Sequence, residues 1–194
     1  GSAEEALYHY FFAAAQEALG AHAFTLRWLA AAFGLIAVAA TFALGRQLFN
    51  TRVGVLAALL AAASFWVLMY SRIGLRIIGM PAFVTLAMLF LWHGLTHLRR
   101  RDFIIAGVLF GLSAYIYAAT RMLPVILVGF LIYLALFKRA QLRTHGVYVF
   151  ATLLIAIVIV LPMAIHIATV PAAERRLGEV EGPLDALQRG DIQP

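Results

Sequence analysis

The chain has 194 residues, of which 64% are hydrophobic and 12% charged, and its mean hydropathy is +0.93. A soluble domain carries about a quarter charged residues, so this chain has too little polar surface to coat a water-soluble globule, and disorder, collagen and coiled coil are excluded with it. The net charge of +6 is too dispersed for a nucleic-acid surface, and the absence of cysteine excludes a disulfide framework, Cys-ligated zinc and a thiol nucleophile. What remains is an all-α polytopic membrane helix bundle.

In chain order, residues 5–19 (EALYHYFFAAAQEAL) come first. They mix an apolar face with Glu5, His9, Gln16 and Glu17, the pattern of an amphipathic helix lying in the membrane interface. Six stretches without Lys, Arg, Asp or Glu follow, at 28–45, 53–71, 77–98, 103–120, 122–137 and 144–173. A bilayer core is crossed by about 17–25 apolar helical residues, so these runs predict six membrane helices. They are apolar on all sides, which argues against barrel strands alternating every second residue. Gly45 and Asn50 mark the first turn. Pro81 and Pro124 fall just inside the third and fifth helices, where a missing N–H costs nothing. Pro162 predicts a kink in the sixth. Residues 171–194 are polar and read as an extramembrane segment. The organisation predicted is therefore 1–22 outer-loop remnant and interfacial helix, 23–170 transmembrane bundle, and 171–194 extracytoplasmic segment.

Orientation follows from the basic residues of the short loops. One side carries Arg46, Arg52, Arg99, Arg100, Arg101, Lys138, Arg139 and Arg143; the other carries only Arg27, Arg72, Arg76 and Arg121. The richer side is expected in the cytoplasm, with both flanks outside it.

The sparse outer arginines are the informative ones. Arg72 and Arg76 in YSRIGLR are four apart and share a face if that turn is helical. Arg121 lies in a second outer turn, YIYAATRMLP. Between Glu17 and Glu174 the only acid is Asp102, on the opposite side. The bland reading is snorkelling to lipid headgroups. Three arginines set against the positive-inside bias favour an anionic ligand, and the guanidinium fork suits phosphate. A lipid-linked phosphate fits, with its tail in the bilayer and its head at the rim. The lack of intramembrane carboxylates weighs against a proton- or sodium-coupled transporter.

Glu4 and Glu5 precede the interfacial helix. They read either as complements to its dipole or as oxygen ligands for a divalent metal ion beside the phosphate. His9 reads as an interfacial residue. His93 and His97 are spaced to share a metal, yet beside three arginines they read as a solvated helix end. Tyr115 and Tyr117 read as interface-belt aromatics. No nucleophile elbow, phosphate-cradling glycine loop or zinc spacing is present.

Taken together, EALYHYFFAAAQEALG, the segment from FTLRWLAAAFGLIAVAATFALGRQLFNTRVGV through MYSRIGLR, and GLSAYIYAATRMLPVILVGFLIYL resemble bacterial membrane glycosyltransferases of the GT-C superfamily, over roughly residues 4–170. The branch most similar is protein-mannosyltransferase-like and includes the aminoarabinose transferases of lipid A. The resemblance implies transfer of a sugar from a polyprenyl-phosphate-linked donor on the outer face of the cytoplasmic membrane. The acceptor is undefined, membrane lipids are partners, and no nucleic acid is involved. It also implies that the catalytic Asp lies in a first outer loop upstream of this chain, so that these residues alone would be inactive. Glu5 matches a family Glu that can bind metal, although Ala6 stands where the family has Pro. Arg72, Arg76, Arg121 and Tyr117 match outer turns near the lipid phosphate. Two other functions stay open: a transporter or flippase for an anionic lipid-linked glycan, and a non-catalytic assembly subunit.

Overall fold

The computed structural model describes residues 6–20, 22–116 and 139–169, with isolated helical positions at 128, 129, 132 and 136. Every regular element among them is helical: α1 (Ala6–Leu19), α2 (Ala23–Leu48), α3 (Thr51–Ala63), α4 (Phe65–Ile73), a single 3-10 turn (Arg76–Ile78), α5 (Gly79–His97), α6 (Arg100–Ser113) and α7 (Arg139–Thr169). Three of these helices are long and apolar enough to cross a membrane, at Phe24–Leu48, Gly79–His97 and Gly146–His166, and the α3–α4 pair makes a fourth if taken as one bent span. The expected run at 122–137 lies outside the described residues apart from the isolated positions.

The amphipathic helix at the start forms as expected, and it packs onto the bundle as well. Phe11 meets Phe33 of α2 edge-on at 5.7 Å and Phe83 of α5 at 6.2 Å. These rings cover a buried cluster that includes Ala30, Phe33, Ala37, Ile78, Ala82, Phe83 and Ile116.

The first turn is tighter than the sequence suggested. Helix α2 runs through Gly45 to Leu48, and Asn50 caps α3 by accepting a hydrogen bond from the Val53 N–H at 3.0 Å. Gly45 is therefore a packing residue. A Cβ there would lie 3.0 Å from Gly54 Cα, and one on Gly54 would lie 2.8 Å from the Phe42 carbonyl oxygen. Two glycines let the α2 and α3 backbones touch.

The run at 53–71 is broken. Ser64 adopts φ −62°, ψ 127°, and α3 and α4 meet there at a bend of 53°. Apolarity continues through the break, so composition gave no sign of it. Pro81 sits in the first turn of α5, as predicted. The run at 103–120 is not one helix either. α6 ends at Ser113, and residues 114–116 continue with tighter hydrogen bonds to the carbonyls three residues back.

Helices α5 and α6 are antiparallel: Gly79 approaches Ile116, and Gly94 approaches Phe103. α6 and α7 are parallel, with Gly107 against Thr152 and Ile155 and Gly111 against Ala156 and Ile159. Two hydrogen bonds cross that seam. Thr152 Oγ1 donates to the Phe103 carbonyl at 3.1 Å, and Tyr115 OH donates to the Ile159 carbonyl at 2.7 Å. Tyr115 is thus tied to α7. Pro162 lies inside α7, three residues beyond the carbonyl that Tyr115 engages.

Candidate functional site

Arg72 lies on the last turn of α4 and is exposed. The helix stops just beyond it because Gly74 takes φ +81°, a conformation that glycine adopts without penalty. The Gly74 and Leu75 N–H groups both donate to the Tyr70 carbonyl at 3.1 Å, closing the helix end. Gly74 is pressed against α2, where a Cβ would stand 2.9 Å from Leu26 Cγ. This close approach pins the C-terminal end of α4 to the start of α2.

The same turn separates two residues that the sequence put together. Arg76 opens the 3-10 turn after Gly74, so Arg72 and Arg76 do not share a helical face. The i, i+4 argument holds only within one helix, and the left-handed glycine between them ends it. Glu4, Glu5, Tyr117 and Arg121 lie outside the described residues.

Sequence reasoning passed over Arg27. It is exposed, and like Arg72 it lies within two residues of the Leu26–Gly74 contact. Its guanidinium carbon stands 6.0 Å from the Phe24 ring centroid, within cation–π range. Phe24 in turn lines an apolar groove of about 580 Å³ with Ala15, His22, Thr25, Trp28, Leu29 and Ala32. The joint beneath this groove is fixed by Thr25, which is 2% exposed and donates through Oγ1 to the Gly20 carbonyl at 2.7 Å. The signal for Arg27 was its place among the four outer cations; the groove, made by the angle between α1 and α2, left none. Among the described residues neither Arg27 nor Arg72 has a carboxylate partner. Among the described residues no group of three or more His, Asp or Glu gathers to hold a metal ion.

The geometry is that of two exposed cations, Arg27 and Arg72, with no acidic partner among the described residues, beside an apolar trough. A scan against protein-family models matches residues 5–166 to the dolichyl-phosphate-mannose-protein mannosyltransferase family. The chain belongs to that family. It is accordingly a membrane glycosyltransferase of GT-C type. Searches of curated proteins and of solved structures found no match.

Proposed function

We propose that this chain serves transfer of a sugar from a polyprenyl-phosphate-linked donor to an acceptor on the outer face of the cytoplasmic membrane, and that its outer rim grips the donor phosphate. The observation that carries the reading is Arg72: an exposed guanidinium at a helix end bordering apolar spans, with no acidic partner among the described residues. Arg27 at the mouth of the apolar groove supports it.

In the reaction an acceptor oxygen loses its proton to a base and attacks the anomeric carbon. The bond from that carbon to the phosphate oxygen breaks, and the lipid phosphate leaves with the electron pair. Charge grows on the phosphate as the bond breaks, so a fixed guanidinium beside it lowers the barrier more than it stabilises the bound donor. In this reading Arg76, Arg121 and Tyr117 join Arg72 around the phosphate. Glu4 and Glu5 offer oxygen ligands for a divalent metal beside it.

The test is donor kinetics in the full-length protein. Arg72→Ala should weaken use of the lipid-linked donor about ten- to a hundredfold, the equivalent of about 1.5–3 kcal/mol for a charge-assisted contact. Lysine should rescue only in part, because an ammonium cannot replace a two-pronged guanidinium contact. Unchanged kinetics in both variants would return Arg72 to snorkelling. Outward movement of the lipid-linked sugar without transfer would favour a flippase.

A further inference from the structure

A second cationic cluster lies at the other end of α5 and has no part in the reaction above. α5 spans 19 residues, about 28 Å at helical rise, and separates the Arg72–Gly74 turn from the turn at Leu98–Arg99. We propose that Arg99, Arg100 and Arg101 form a binding site for the phosphate headgroup of an anionic phospholipid in the adjoining leaflet.

Four observations carry this. First, the three arginines and Asp102 line one concavity of about 410 Å³. It opens where a helix apolar enough to cross a membrane ends, so it lies at headgroup depth. Second, the acid that should neutralise these arginines is already engaged. Asp102 is 8% exposed, and its Oδ2 accepts a hydrogen bond from His93 Nδ1 at 2.6 Å across the α5–α6 turn. Among the described residues no carboxylate lies within ion-pair distance of Arg99, Arg100 or Arg101, so the concavity keeps a net positive charge.

Third, Arg100 is held in place before any ligand arrives. Its guanidinium carbon stands 5.8 Å over the Tyr148 ring, and that ring stacks on Phe103 at 5.4 Å and 22°. That cation–π contact uses the charge of the guanidinium and none of its hydrogen bonds, so its N–H groups stay available to phosphate oxygens. Fourth, the surroundings suit a lipid better than a soluble anion. Leu98, at φ +55°, and Ile104 are both exposed beside the arginines and offer apolar surface for acyl chains.

The test uses the full chain purified in detergent, with bound lipid counted by native mass spectrometry during titration with phosphatidylglycerol and with phosphatidylcholine. One phosphatidylglycerol should be retained about tenfold more tightly than phosphatidylcholine. Arg99→Gln/Arg100→Gln/Arg101→Gln should abolish the preference, while Arg46→Gln/Arg52→Gln, at the α2–α3 turn, should leave it intact. Arg100→Lys alone, which keeps the charge, should weaken retention severalfold, and this milder variant carries the test if the triple variant does not fold. The proposal is overturned by equal retention in the triple variant or, where only Arg100→Lys folds, by wild-type retention in it. An equal loss in the Arg46/Arg52 control overturns it too, by showing only general surface charge. Displacement of the lipid by millimolar inorganic phosphate would make free phosphate the ligand and also sink it.

Discussion

The α6–α7 seam allows a sharp test of how the bundle is held. A Cβ added at Gly111 would lie 2.7 Å from Ile159 Cβ and 3.2 Å from the Ala156 carbonyl oxygen. Carbon atoms rest at about 3.5–4.0 Å, so α7 would have to retreat by about 1 Å. Neither obstacle is a flexible side-chain end; one is a branched Cβ and the other is backbone. Overpacking of this kind costs about 1–3 kcal/mol. Retreat also stretches the bond from Tyr115 OH to the Ile159 carbonyl. Gly111→Ala gains about 1 kcal/mol of helix propensity, which obscures the effect if it is read alone. Gly129 supplies the control, because among the described residues a Cβ there would meet nothing within 4 Å, and its alanine variant gains the same propensity. At about 2–4 °C per kcal/mol for a chain of this size, Gly111→Ala should melt about 2–12 °C below Gly129→Ala. The assay is thermal unfolding of both variants in one detergent, followed by circular dichroism. Equal melting temperatures would refute the packing argument.

Gly74→Ala should destabilise the outer turn by at least about 1–2 kcal/mol, the cost of a left-handed L-residue, since the φ of +81° is compounded by Leu26 Cγ at 2.9 Å; chemical denaturation measures it. His93→Ala should cost about 1–3 kcal/mol by leaving the buried Asp102 carboxylate without its donor, and a double-mutant cycle with Asp102→Ala should recover a coupling of that order, whereas additivity would mean that the 2.6 Å contact contributes nothing. A cysteine placed at position 100 should be labelled only from the cytoplasmic side in intact cells, as the excess of Arg and Lys on that side of the membrane predicts; labelling from outside alone would invert the topology.

What the sequence revealed of the fold was its relation to lipid. Charge-free runs marked three helices long and apolar enough to cross a membrane, and a fourth if the bent α3–α4 pair is one span, because an ionised side chain in hydrocarbon is costly whatever the tertiary structure. The same runs were silent about direction within the membrane. The bend at Ser64 interrupts a stretch that is apolar on both sides, so no change of hydropathy marks it. Gly45 was ambiguous for a related reason. A glycine near a charge reads as a turn, while a glycine facing another helix reads as close packing, and only the partner, Gly54, decides between them. The partner lies nine residues away on a different helix, beyond the reach of local pattern.

The candidate sites divide along the same line. For Arg72 and Arg27 the lack of an acidic partner among the described residues was legible because neutralisation is a matter of counting: only one acid, Asp102, lies between Glu17 and Glu174. The grouping of Arg72 with Arg76 was not legible, since spacing translates into proximity only through a known backbone, and Gly74 turns the chain between Arg72 and Arg76. His93 was hidden by the opposite error. Next to three arginines it reads as solvated, yet its ring is part-buried and committed to Asp102. With Asp102 hydrogen-bonded to His93, none of the three guanidinium groups has an acid within ion-pair distance among the described residues, and the same is true of Arg72. Both ends of α5 therefore present positive charge that the described protein does not balance, and at each end a phosphate is the anion whose geometry matches the arginine fork.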